Sequence, residues 1–313
     1  MKYCLLILVP ASLSAQAVTT TSSVDINGRR ADDFSVATAK NGEKTERSES
    51  INGRLVPREQ TETRVLSETA TEKVTESFDR KFDQLGQLIS TERVLTTERK
   101  QPGGGSSAQA TVYRSDMNGA MQEAERRTIE TRPQGQGTTA ADVTIARPSA
   151  NGGFEKVEQR KTVKFEDPKR TREEETVYQK STSGDFVERR RTLAESQKSG
   201  DRTDAKVANY ETDYTGRMAL LNSETSTTVT SKDGKQVVER NIYDANALGY
   251  ARTDADGQKI REQQIIVRTP GADGSVKETV SVRRPTIADQ ANLGAPVQLS
   301  ETVCTGKCQP AKP

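Results

Sequence analysis

The sequence predicts an all-β protein: an antiparallel meander of repeated β-hairpins with a period of about 33 residues and about 15 strands, drawn out into an extended or solenoid-like sheet. Three observations carry that expectation. Turn glycines recur at even spacing, the segments between them are short and rich in β-branched and aromatic residues, and the apolar supply is too thin for one large core.

The glycines come first. Gly53, Gly86, Gly119, Gly152, Gly184, Gly216 and Gly249 are separated by 33, 33, 33, 32, 32 and 33 residues. Two positions after the first six stand apolar residues: Leu55, Leu88, Met121, Phe154, Phe186 and Met218. Six positions after the first four stand Glu59, Glu92, Glu125 and Glu158. Tyr113, Tyr178, Tyr210 and Tyr243 precede their glycines by six, and Asp83, Asp116, Ser149, Ser181, Asp213 and Asn246 precede theirs by three. A short polar side chain followed by Gly three residues on is the composition of a tight turn: the side chain bonds the backbone ahead of it and Gly supplies positive φ. Tyr and the apolar residue have the same parity about the turn, so they fall on one face of a hairpin.

Between the tight turns run looser, more polar connections such as Gln101–Ser107, Pro133–Gly137 and Lys198–Asp201. A tight turn alternating with a loose one gives two strands per unit. Helical repeats of similar period need dense Leu/Ala faces at i, i+3, i+4 spacing, which are missing. After Gly249 the period lapses; Asp256–Gly257 and Asp273–Gly274 mark hairpins around a strand at Lys259–Val267. The expected organisation is a signal peptide over 1–17, a poorly ordered leader over 18–44, hairpin repeats over 45–285 and a tail over 286–313.

Composition narrows the chemistry. The chain of 313 residues has no His and no Trp, and 47 Lys+Arg stand against 45 Asp+Glu. Without imidazole there is no Ser-His-Asp or Cys-His system, and no cofactor, metal or catalytic residue can be singled out. Leu, Ile, Val and Phe make up about 18% of the chain, which suits an array of small units better than one globule. The balanced charge argues against nucleic acid as a partner.

Lys2, the apolar run Tyr3–Val9 and Ala15-Gln16-Ala17 have the order of a secretory signal cut before Val18. Export takes the protein to a periplasmic, secreted or cell-surface location and leaves Cys304 and Cys308 to form a short-loop disulfide. No apolar stretch is long enough for a transmembrane helix, so no transmembrane anchor is expected. An outer-membrane barrel has about this many strands, but its lipid face needs alternating apolar residues and aromatic girdles that Glu123–Arg132 and Glu188–Arg191 do not offer. Arg189-Arg190-Arg191, Lys169-Arg170 and Arg283-Arg284 read as solvated strand faces with cross-strand Arg–Glu pairs.

The segments Tyr113–Met121 and Tyr210–Met218 resemble the YD repeat of the rearrangement-hotspot (Rhs) and teneurin families, Tyr-x-Tyr-Asp-x-x-Gly-x-Leu, and Phe82–Leu88 fits its second half. The resemblance covers about residues 75–257. It implies strand pairs that spiral into a large β-shell at a cell surface or in a secreted toxin carrier. The residues and the resemblance together lead to the expectation of an exported, non-catalytic β-repeat protein at the cell envelope, a scaffold or binding surface for protein or polysaccharide. The alternatives are a carboxylate-dependent extracellular hydrolase or lyase, and a largely disordered exported chain.

Overall fold

A computed structural model of the chain describes residues 17–24, 30–41, 43–51, 54–116, 118–244, 259–285, 292–306 and 308. Residues 1–16 of the expected signal peptide, and Asn52–Gly53, Asn246, Gly249 and Asp256–Gly257, lie outside the described residues.

The described residues form strands and turns. The first strands are β1 (Ala17–Val24), β2 (Arg30–Asn41), β3 (Lys44–Ile51), β4 (Arg54–Glu68), β5 (Glu72–Phe82) and β6 (Leu88–Lys100). Next come β7 (Ser106–Ser115), β8 (Met121–Gly135), β9 (Thr138–Pro148), β10 (Phe154–Glu166), β11 (Arg170–Lys180) and β12 (Phe186–Ser199). The last are β13 (Arg202–Thr212), β14 (Met218–Thr230), β15 (Gln236–Asp244), β16 (Lys259–Pro270), β17 (Val276–Arg283) and β18 (Val297–Thr305). Each pairs antiparallel with its neighbours in sequence, in one 18-stranded sheet.

The sheet closes on itself. β1 pairs with β2 on one side and with β18 on the other, in the register Val18↔Thr305 to Ser23↔Ser300. The Thr21 and Thr302 hydroxyls meet at 2.9 Å across the seam. Closure satisfies the backbone groups that an open sheet leaves bare along two edges. This corrects the expected extended or solenoid-like sheet of about 15 strands: the hairpin units do not stack along an axis but run round a ring, and the architecture is a closed 18-stranded barrel. The supposed leader over 18–44 supplies β1 and β2, and the supposed tail supplies β18.

The turns follow local chemistry. In the hairpin joining β13 to β14, the Gly216 N–H donates to the Asp213 carbonyl at 3.0 Å and the Asp213 N–H to that of Arg217 at 2.8 Å. Gly216 sits at φ +83°, where an L side chain is strained. The Asp213 carboxylate accepts from the Thr215 hydroxyl and from the Thr215 and Arg217 N–H groups. The Thr215 hydroxyl, then these backbone donors, hold its carboxyl below its ordinary value. Asp83 and Asp116 accept backbone N–H bonds in the same pattern.

Gly137, between β8 and β9, is more tightly placed. It lies at φ +75°, and a Cβ there would stand 2.4 Å from the Glu166 carbonyl oxygen. Gly119, at φ +81°, has open space around it. Gly137→Ala is expected to cost about 2 kcal/mol or more and Gly119→Ala about 1 kcal/mol, the difference being the clash with Glu166. Urea unfolding of the two variants beside the parent checks the order.

Very little of this sheet forms a conventional core. Among the described residues the buried hydrophobic side chains are Ala110, Val112, Ile145, Val177, Ala208, Ile260 and Val282. Buried polar residues, including Glu76, Glu125, Glu158, Glu262 and Gln263, are as prominent. A one-layer wall that is polar on both faces buries side chains only where they lean on neighbours in the same face, so ladder hydrogen bonds and cross-strand pairs take the place of a core.

Candidate functional site

The wall has two faces, and cross-strand register assigns residues to each. One carries Val94, Val112, Glu125, Arg127, Ile145, Arg160 and Val177, in register from β6 to β11. The other carries Glu76, Arg93, Tyr113, Arg126, Lys161 and Arg191.

A recurrent β-bulge organises the first face. Opposite Val112 the register slips at Ala124, so that Ala124 and Glu125 share one partner. The same slip gives Glu158 opposite Ile145, Glu262 opposite Ile242, Asn222 opposite Asn209 and Arg190 opposite Val177. At three of these positions a carboxylate is pressed against an apolar partner and then neutralised. Glu125, 2% exposed, accepts from Arg127 at 2.6 Å and from Arg147 at 3.2 Å. Glu158 accepts from Arg160 at 2.6 Å, and Glu262 from Arg284 at 2.7 Å and from the Gln264 amide at 2.6 Å. Glu92, six residues after Gly86, takes Arg114 at 2.8 Å. These form a charged belt near the tight-turn end of the wall.

Beside the bulges the wall is recessed. One cavity of about 340 Å³ is lined by Val177, Gln179, Arg189, Arg190, Glu211 and Thr212. The equivalent place on β5, β6 and β7 holds a cavity of about 220 Å³, bordered by Asp79, Lys81, Glu92 and Arg114, where a carboxylate oxygen of Asp79 is buried without a hydrogen-bond partner. Among the described residues no group of three or more His, Cys, Asp or Glu could hold a metal.

The second face is also charged. Glu76 accepts from Arg93 at 2.7 Å and Asp142 from Arg132 at 2.8 Å, while Arg191 donates to Glu188 at 2.9 Å. Cations cover its aromatic rings: Arg93 lies 5.4 Å from the centroid of Tyr113, Arg126 4.0 Å from Phe154 and Lys161 5.5 Å from Tyr178. Neither face therefore carries the continuous apolar band of a barrel wall set directly in lipid. On both, most charge is held in pairs.

The residues singled out in the sequence have definite places. Tyr113 faces Glu123 and Tyr178 faces Glu188; the apolar partner of each stands one diagonal step away, Met121 opposite Ser115 and Phe186 opposite Lys180. Leu55, Leu88 and Met121 are exposed near the turns, so that pairing buries little. Cys304 and Cys308 are joined by a disulfide next to the seam strand β18. The glutamates six residues after the glycines were visible as a pattern, but their burial was not, because it depends on a bulge that only the partner strand reveals. Arg189 and Arg190 were read as solvated and paired; only Arg191 of that run has the expected carboxylate partners, Glu188 and Glu174.

Closure overturns the functional expectations built on an open array. A closed ring does not present an extended repeated surface to protein or polysaccharide, so the scaffold reading falls. The hydrolase reading falls with it, since the belt carboxylates are engaged by guanidinium groups across the wall. Among the described residues no helix is long and apolar enough to cross a membrane. A β-barrel crosses with strands, so the expectation of no transmembrane anchor loses its ground, as does a soluble periplasmic or secreted form inferred from it.

No family model matches the sequence, and no curated protein matches it. Among solved structures, a porin-like protein from Bacteroides uniformis is similar at 10% identity and a TM-score of 0.27, over 93% of this chain and 96% of that one. A likeness of that degree supports no statement about function.

Proposed function

We propose that the chain is an exported, non-catalytic β-barrel conduit of the cell envelope, whose closed wall surrounds a water-filled passage for polar solutes. The observation that carries this reading is the closure of 18 strands with polar, ion-paired residues on both faces. Barrels of about 16–18 strands are too wide for their side chains to fill, and they leave an aqueous channel. Because both faces are polar, the lining is hydrophilic whichever face turns inward. An unpaired Arg or Lys at a bilayer midplane costs about 2–4 kcal/mol, and the pairing on both faces lowers that cost.

The test is reconstitution of the mature barrel, shown β-rich by circular dichroism, into planar lipid bilayers. Stepwise conductance increments are expected. A folded barrel that yields no increments in any lipid tried overturns the reading.

A further inference from the structure

We infer that the recess at the bulge of β12 is a binding site for small oxyanions, with Arg189 and Arg190 as the paired donors. At the equivalent bulge position Glu125, Glu158 and Glu262 each stand against an apolar neighbour and each draws in a guanidinium from its own or an adjacent strand. On β12 the residue is Arg190, opposite Val177, which is 2% exposed. Charge at this point of the wall is reversed.

The bulge doubles that reversal. Strand alternation would send Arg189 and Arg190 to opposite faces, but two residues sharing one partner across a bulge lean to the same side. Both line the one cavity of about 340 Å³, with Gln179 and Thr212 at its border. On this face Arg47, Arg114, Arg127, Arg147 and Arg160 each find a carboxylate. Here neither Arg189 nor Arg190 is engaged in a described ion pair, although Arg191 next to them has two. Glu211 stands opposite Arg190 in register and lines the same cavity, yet it too is in no described ion pair. In the corresponding recess Glu92 and Arg114, at the positions of Arg190 and Glu211, are bonded at 2.8 Å.

The recess therefore holds two guanidinium groups and one carboxylate, a net single positive charge, with the Gln179 amide beside them; the Thr212 hydroxyl at its border donates to the Glu188 carbonyl at 2.6 Å. Guanidinium forks match the planar or tetrahedral array of oxygens on a carboxylate, sulfate or phosphate. A bound oxyanion takes the place that the wall's own carboxylate fills in the units of Glu125, Glu158 and Glu262. The Gln179 amide can donate to a further oxygen. The site stands independently of the conduit reading, since binding is measured on the folded barrel whether or not it conducts.

The experiment titrates inorganic phosphate into the folded full-length mature chain by calorimetry at low ionic strength, with sulfate, acetate and chloride as separate arms. Saturable phosphate and sulfate binding is expected, with acetate weaker and chloride weakest. Arg190→Glu restores the residue that other units carry at this position and so is compatible with the wall. It should weaken phosphate binding at least tenfold, as should Arg189→Gln. Arg127→Gln, remote from the recess, should leave binding unchanged. No saturable binding by the parent chain, or equal binding by the parent and Arg190→Glu, overturns the proposal. Acetate alone binding assigns the site to carboxylates within the same class, provided that Arg190→Glu abolishes it.

Discussion

Ending the chain at Pro296 is expected to open the ring and convert a discrete particle into associating material. The truncation removes β18, which supplies the ladder to both β1 and β17. Two rows of bare N–H and C=O groups then face solvent, each a template for another copy. At about 1 kcal/mol net for each ladder hydrogen bond, the loss reaches on the order of 5 kcal/mol or more, a large part of a domain's whole stability. Light scattering behind a sizing column should show the parent as one species and the truncated chain as a concentration-dependent series. Ending the chain at Cys308 is the control: it keeps β18 entire together with the Cys304–Cys308 disulfide and should behave as the parent does. A truncated chain that stays discrete would mean that the seam contributes nothing to the barrel.

Glu125→Ala should be the most damaging single change in the belt, at about 2 kcal/mol. The residue is 2% exposed, sits opposite Val112 and accepts from both Arg127 and Arg147. Its removal leaves two guanidinium groups without their shared acceptor and a void over Val112. The cost stays below that of a fully buried pair because the arginine side chains retain 36% and 54% of their exposure and can turn to water. Glu123→Ala, two residues away on the other face, removes a carboxylate whose partner Arg126 is 57% exposed and should cost well under 1 kcal/mol. Thermal unfolding of both variants decides it: equal shifts would remove the special standing of the bulge carboxylates.

The two predictions divide along what the sequence could express. Turns are local, so Asp83, Asp116 and Asp213 with their glycines announced the hairpins from a few residues each. The seam is the opposite case. Thr21 and Thr302 are 281 residues apart, and their pairing is encoded in no spacing, since any two Thr-rich strands could have met. The Thr-, Ser- and Ala-rich β1 and β2 also lack the apolar alternation by which a half-buried strand is known, which is why residues 18–44 read as a leader. A wall polar on both faces has no apolar side to alternate with.

The belt was half legible. Glu59, Glu92, Glu125 and Glu158 stood out by position, yet a Glu in a polar strand looks solvated until the bulge presses it against the strand opposite. For Arg189 and Arg190 the misleading signal was the neighbouring glutamates. Plain alternation would set Glu188 on the face of Arg190; the bulge at Arg189 shifts that parity, so Glu188 falls with Arg191 and the other two arginines lose it.

Closure of the ring is tested directly by one distance. Ser23 and Ser300 are partners across the β1–β18 seam. With both changed to Cys in a chain carrying Cys304→Ser and Cys308→Ser, nitroxide labels at the two sites report the gap by electron paramagnetic resonance. A closed barrel predicts strong dipolar broadening, with the labels within about 15 Å of each other, since paired strands lie about 4.8 Å apart. Labels separated by tens of ångströms, towards the roughly 80 Å that seventeen strand spacings span in an open sheet, would contradict it.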